Sequence, residues 1–202
     1  MANFKIVVRT LMAVIVVLFC ATTFYYYTEQ GNARAEANVP KLPDFEHTNN
    51  QQFIDNVVQC VKYIEHNTTD VYPVNLELLI AQAALESGWG NSRFARVGKN
   101  LFGIRTYDLQ EPHMLPSNNP KKWGVKVYSH ECDSVLNYMK VLNNGGAYKK
   151  YRELMSDGVD DPYILVETLD AYASDKYYFS KIKSILTKIR SEYAIRWYKK
   201  EV

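Results

Sequence analysis

The chain has 202 residues, 47% of them hydrophobic, with 24 Lys or Arg against 22 Asp or Glu. That is room for one domain and a targeting segment. Sixteen tyrosines argue against a disordered chain, and a formal net charge of +2 gives no basic face for nucleic acid.

Lys5 and Arg9 precede an apolar run from Leu11 to Phe19, which continues through Ala21 to Tyr27. Basic residues before an apolar core are the pattern of an export signal, and Ala33-Arg34-Ala35 fits a small-x-small cleavage site. The stretch from Ile6 to Tyr27 is also long enough to cross a bilayer, which takes roughly 20 residues. Residues 1–35 therefore read as a signal peptide or a membrane anchor, with residues 6–27 in the inner membrane if uncleaved. Both readings export the rest of the chain to the periplasm or cell envelope. Cys20, after Leu18-Phe19, is a poor match to a lipid-attachment site. Without Lys5, Arg9, Arg34 and Glu29 the remainder is formally neutral, so it offers a polyanion no long-range steering.

Residues 36–50, with Pro40, Pro43, Asn49 and Asn50, read as a polar linker, and residues 51–198 as the domain. Ile54, Val57, Val58, Val61 and Ile64 recur at helical spacing, and Thr68-Thr69-Asp70 ends that helix. Pro73 suits the first turn of the next helix. Leu76, Leu79, Ile80, Ala83 and Ala84 give that helix a broad apolar face, and Gly88-Trp89-Gly90 stops it. Residues 103–129 lose the helical period. Trp123 to Tyr128 alternates weakly, as a short strand or hairpin would. Helical spacing returns with Val135, Leu136, Met139 and Leu142 and ends at Gly145-Gly146. Asp161-Pro162 is a cap followed by a first-turn residue and opens a helix with Ile164, Leu165 and Leu169. The last helix uses Tyr178, Ile182, Ile185, Leu186 and Ile189 as its buried stripe, its Lys and Arg residues forming a solvated face. The fold class is mostly α, with one small β lobe between helices.

The stretch Ala81-Gln82-Ala83-Ala84-Leu85-Glu86-Ser87-Gly88-Trp89-Gly90 carries the chemistry. Glu86 stands at the last turn of an apolar helix. The negative end of the helix dipole and the apolar surroundings both disfavour its carboxylate. A carboxylic acid kept protonated near neutrality can protonate a glycosidic oxygen. The glycines let a substrate approach the backbone, and Trp89 offers an aromatic face for a sugar ring. A solvated Glu before a glycine helix stop is the plainer alternative.

Ala81–Gly90, followed by Asn100-Leu101-Phe102-Gly103, resembles the signature of the glucosaminidase family of peptidoglycan hydrolases, glycoside hydrolase family 73, in particular its Bax-like members. Asp133-Ser134-Val135 with Tyr138, Leu142-Asn143, Ala147-Tyr148 and Thr168-Leu169-Asp170-Ala171-Tyr172 are supporting patterns, and the likeness covers roughly residues 50–190. It implies a lysozyme-like helical domain whose β lobe flanks a sugar groove. It also implies a GlcNAc–MurNAc glycan substrate, cut at β-1,4 bonds on the GlcNAc side, with Glu86 as general acid and Tyr172 lining the site.

A second acid belongs in the β lobe on the same resemblance, where Asp108, Glu111 and Glu131 are the candidates and Glu111 leads. The sequence departs from the family pattern here, since no acidic residue lies just before Trp123–Tyr128. The substrate's own N-acetyl group is the alternative. Ser87, Trp89, Tyr107 and Trp123 are the candidates for sugar contact, Trp123 being equally a core residue. Asn100–Gly103 reads as structural, with Phe102 in the core and Gly103 in a turn. Cys60 reads most simply as a small buried residue, though it could pair with Cys132 in an oxidising compartment. His47, His66, His113 and His130 show no ligand spacing, so neither a metal nor another cofactor is expected. The peptidoglycan glycan strand is the expected partner. A lytic transglycosylase and a catalytically silent wall-binding scaffold are the rival readings.

Overall fold

The computed structural model describes residues 12, 17–30, 39–117, 122–172 and 175–195. The chain divides into two units, Met1–Val39 and Pro40–Val202. In the first, residues 17–30 are helical, and Phe19, Phe24 and Tyr27 among them are exposed. No described helix is long and apolar enough to cross a membrane. Lys5, Arg9 and the cleavage site at Ala33-Arg34-Ala35 lie outside the described residues.

In the second unit, α1 (Asn50–Asn67) starts where the Asn49 side chain accepts the Gln52 N–H at 3.0 Å. Its stripe of Phe53, Ile54, Val57, Val58, Cys60, Val61 and Ile64 is buried, as spacing of three and four residues requires. The next helix, α2 (Leu76–Ser87), begins later than Pro73 suggests. Asn75 caps it, accepting the Leu78 N–H at 2.8 Å. A proline only tolerates the unpaired start of a helix, whereas Asn75 satisfies it. Asp160 in turn holds Asn75, its carboxylate 2.6 Å from Nδ2.

Leu76, Leu78 to Ala84 and Ser87 are all buried, so α2 is enclosed on every side. It packs against α1 and against α7 (Tyr178–Glu192). Leu76 to Ala84 contains no charge except Glu77, as a central helix needs. Two further helices, α3 (Arg93–Arg96) and α5 (Lys149–Ser156), leave little trace in the spacing, because each buries one side chain, Ala95 and Tyr151 respectively. Between α3 and α5 lies α4 (Glu131–Asn144), opened by a capping box of His130 and Asp133 and ended at Gly145. Asp161 and Pro162 do start a helix, α6 (Pro162–Leu165), but it lasts one turn before a 3-10 turn at Val166–Thr168. The basic residues of α7 are paired: Lys181 with Asp175, Lys183 with Glu167, Lys188 with Glu192 and Arg190 with Glu77.

The β lobe consists of β1 (Arg105–Thr106), β2 (His113–Met114) and β3 (Gly124–Lys126), antiparallel in the order β1-β3-β2. Arg105 pairs with Val125, Thr106 with Gly124 and His113 with Lys126. Asn100 ties this lobe down: its Nδ2 donates to the Ile104 and Lys126 carbonyls at 2.9 and 2.8 Å. Its Oδ1 accepts from the Phe102 and Ile104 N–H groups. The structural reading of Asn100–Gly103 therefore holds in detail.

The second half of the stretch read as a linker is packed rather than free. Phe45 is buried, edge-on to Phe53 at 6.0 Å. His47 Nε2 donates to the Trp89 carbonyl at 3.0 Å, and His130 Nε2 donates to the Pro43 carbonyl at 2.8 Å. The prolines and asparagines that mark a linker surround two aromatic anchors.

Cys60 is more than a small buried residue, because it forms a disulfide with Cys132 that joins α1 to α4 across 72 residues of chain. Closing a loop of 72 residues removes unfolded-state entropy equivalent to about 4 kcal/mol. Replacing both cysteines by Ser, or reducing the bond, is expected to lower the unfolding free energy by up to that amount, measured by denaturant titration with and without reductant.

Candidate active site

The end of α2 is a sequence of left-handed residues. Gly88, Trp89 and Gly90 have φ of +59°, +57° and +78°. The Gly88 N–H returns to the Ala84 and Leu85 carbonyls, satisfying the last turn. Gly90 has a second reason to be glycine: a Cβ there would lie 2.6 Å from the His47 ring. Ser87 locks the turn, donating to the Ala83 carbonyl at 2.5 Å and accepting the Gly90 N–H at 2.7 Å. Its side chain is fully buried. The expectation that Ser87 touches sugar is therefore corrected: its hydroxyl is committed to the backbone.

Glu86, one residue earlier, is half-buried. Burial is the largest influence on it and holds its carboxyl above the ordinary range, opposed by a hydrogen bond from Tyr178 and the charge of Lys181. On its open side stands Gly103, φ +65°, where a Cβ would come 3.9 Å from Glu86 Oε2. The backbone of the Asn100–Gly103 loop thus borders the carboxyl with no side chain between.

Tyr172 is beside it. Its hydroxyl donates to the Phe102 carbonyl at 2.9 Å, and its ring stacks on Tyr178 at 5.9 Å. Phe102 stacks on Tyr138 at 4.2 Å, and Tyr138 meets Tyr172 edge-on. These rings form an aromatic wall behind the acid. Burial, then Tyr178, then Glu86 keep the Tyr172 phenol far above its ordinary range, so it stays protonated.

In the lobe, Glu111 accepts from Thr106 Oγ1 at 3.0 Å and pairs with Lys126 at 3.1 Å. Both contacts hold its carboxyl below the ordinary range. Thr106 and Gly124 are opposite one another in the ladder, so Thr106, Lys126 and Glu111 share one face. Lys126 also lies over the Tyr128 ring at 5.9 Å. The Tyr128 phenol is pushed up by burial and then by Glu111, and the Tyr172 phenol responds to both Glu86 and Tyr128. Glu111 thus acts on Tyr128, which in turn acts on the Tyr172 phenol beside Glu86.

The remaining candidates divide. Asp108 is a turn former whose Oδ1 accepts the Gln110 N–H at 2.9 Å. Glu131 is buried at the start of α4 and paired with Lys99 at 2.9 Å. Trp89 packs its ring on Phe53 and Tyr193, so it is a core wedge rather than an open sugar shelf. Trp123 is half-buried under the Arg105 guanidinium at 4.0 Å. It shares the Arg105–Val125 face of the lobe, opposite Glu111. Tyr107 is 72% exposed at the end of β1 and remains available to a ligand. Spacing alone missed Gln82, Lys126, Tyr128 and the site role of Tyr178. Gln82 had a signal, because an amide set among the apolar residues Leu78 to Leu85 demands buried partners.

A family model described as mannosyl-glycoprotein endo-beta-N-acetylglucosaminidase matches residues 65–191. The chain belongs to this glucosaminidase family. The match contains α2, the β lobe, Tyr172 and most of α7. The peptidoglycan hydrolase FlgJ of Vibrio parahaemolyticus is 29% identical over 154 residues, 68% of this chain and 48% of that protein. Protein bax of Escherichia coli is 34% identical over 85 residues, 42% of this chain and 28% of its own. The chain spans about half the length, or less, of these curated relatives. Among solved structures, the catalytic domain of the autolysin Auto from Listeria monocytogenes superposes with a TM-score of 0.53 at 25% identity, covering 80% of this chain and 94% of that one.

The raised pKa of Glu86 has a stability consequence. The folded chain holds this proton to higher pH than the unfolded chain, so folded protein binds more protons between the two values. The penalty of ionising the buried carboxyl therefore appears as pH rises through that window. Glu86→Gln is expected to unfold at an equal or higher temperature than the parent, with the gap growing from acid to neutral pH, as followed by thermal melts across pH.

Proposed function

We propose that this protein is a peptidoglycan hydrolase that cleaves β-1,4 bonds of the GlcNAc–MurNAc glycan, acting as a glucosaminidase of the endo type. The observation that carries the reading is a half-buried Glu86 at a helix end, held toward its protonated form and bordered by glycine backbone. Family membership supports the reaction class. Relatives that are a peptidoglycan hydrolase and an exo-glucosaminidase support the substrate.

In this reading Glu86 protonates the glycosidic oxygen as the bond to the anomeric carbon breaks. The sugar left behind carries positive charge at that carbon. Glu111, kept ionised by Lys126 and Thr106, faces the groove and takes the opposite role, drawing a proton from water or balancing that charge. The substrate's N-acetyl group is the alternative partner. A carboxylate available to water supports hydrolysis over transfer to the sugar's own 6-hydroxyl. Tyr172 and the Gly103 backbone line the groove, and Tyr107 extends it along the lobe. A substrate of this kind requires export to the cell envelope, consistent with the basic-apolar character of residues 1–35.

Glu86→Gln is expected to cut the release of soluble fragments from purified peptidoglycan by at least about a hundredfold, the size of general acid catalysis. Binding in a pull-down should be retained. Mass spectrometry of products from the parent protein should show reducing ends. Release of 1,6-anhydro ends would move the assignment to a transglycosylase, and full activity of Glu86→Gln would sink the role of Glu86.

A further inference from the structure

Gln82 lies one turn before Glu86 on the same face of α2, fully buried between apolar neighbours. Its two amide atoms are used in one direction. The Tyr138 hydroxyl donates to Gln82 Oε1. Gln82 Nε2 donates to the Tyr178 hydroxyl at 2.7 Å. Because the Tyr178 oxygen accepts from Gln82, its own proton is left for Glu86, which stands four residues beyond Gln82 on the same face of α2 and is pulled toward its charged form by the Tyr178 hydroxyl. The chain of donation therefore runs from α4 through α2 to α7 and ends on the carboxyl. Tyr138 and Tyr178 are both buried, and the rings of Phe102 and Tyr172 pack against them.

We propose that Tyr178, aimed by Gln82 and Tyr138, is a positioning residue that holds the Glu86 carboxyl toward the groove and receives its negative charge once the proton has gone to the leaving group. The proposal rests on Glu86 as the acid and adds what orients it. Tyr178 loses no proton in this role: Glu86 delivers the proton to the glycosidic oxygen, and the Tyr178 O–H stays intact and donates to the resulting carboxylate. Each bond in the relay polarises the next, so Tyr138 strengthens the final donor without touching it.

The relay also explains a balance. Burial pushes the Glu86 proton on, and the Tyr178 donor and the Lys181 charge pull it off. The titratable groups that act on or sense Glu86 are Tyr178 and Lys181 on α7 and Tyr172 on the preceding turn. Asn100-Leu101-Phe102-Gly103, on the open side, contains no titratable side chain. Lys181 is exposed and shares its charge with Asp175 at 2.5 Å, and Tyr178 is the larger of the two influences on the carboxyl.

The test is the pH dependence of Tyr178→Phe and Tyr138→Phe, both of which keep the ring and remove the hydroxyl. Hydrolysis of soluble peptidoglycan glycan chains is expected to show kcat lower by roughly a hundredfold in Tyr178→Phe, the cost of losing one donor to a developing charge, with KM unchanged. The alkaline limb of the rate profile should move to higher pH, and Tyr138→Phe should move it the same way by less. A carboxyl-carbon NMR titration of Glu86 in the free protein reads the same shift without any turnover, so an inactive parent would sink the acid reading while this measurement still decides the relay. A limb and an NMR titration unmoved in both variants, or a rise in KM that accounts for the whole loss, would overturn the proposal. Should Tyr178→Phe fail to fold, Tyr138→Phe carries the same comparison.

Discussion

The structure turns on the burial of α2. A helix enclosed on all sides has no solvated face on which to place a carboxylate, so the one acid at its exit, Glu86, must be handled by its neighbours. Ending the helix abruptly at Gly88 brings the carboxyl to the edge of the core rather than into it. The left-handed turn through Trp89 and Gly90 then carries the chain away, leaving room beside the acid. Ser87 and His47 hold that turn from within, one through a buried hydroxyl and the other through the Trp89 carbonyl. The site is thus a consequence of how the central helix stops.

The two carboxyls of interest sit in opposite environments. Glu86 is half-buried against tyrosine rings, and its surroundings favour the proton. Glu111 is half-buried in the bend before β2 and tied to a lysine and a threonine, and its surroundings favour the charge. In the proposed mechanism, carboxyls whose environments push them apart in this way supply an acid and a base near neutral pH. Asn100 couples the two, since one side chain fastens the backbone on both sides of the lobe to the loop that borders Glu86. A shift of the lobe would move Glu111 and the Gly103 wall together.

Much of this was legible in the order of residues. The helical stripes of α1, α4 and α7 and the stop at Gly88 follow from spacing and glycine. The motif from Ala81 to Gly90 with Asn100–Gly103 led to the family that the comparison with family models then matched. What was not legible depends on long-range partners. Ser87, Trp89 and Trp123 each have the chemistry to meet a sugar, but nothing local says that Ser87 spends its hydroxyl on α2, that Trp89 packs against Phe53, or that Trp123 lies under Arg105. Phe45 and His47 were hidden for the same reason: their partners are more than forty residues away or in another helix. The disulfide was open because two cysteines in different helices pair only if the packing of α1 on α4 allows it.

Gln82 illustrates the difference between finding a residue and assigning it. In sequence it is a polar interruption in a helix otherwise built to be dry, and a buried amide left unpaired would cost about 1–3 kcal/mol. Physics therefore requires partners for both of its ends before any function is considered. The structure supplies two tyrosine hydroxyls, from helices distant in sequence. An apolar side chain of similar volume would leave the buried Tyr138 and Tyr178 hydroxyls without this partner. Retaining an amide there makes sense if its direction matters, and the direction it imposes is toward Glu86. The core of this domain is thus not a neutral support for the acid: through Gln82, the packing of α4 and α7 on the central helix is coupled to the acid at its end.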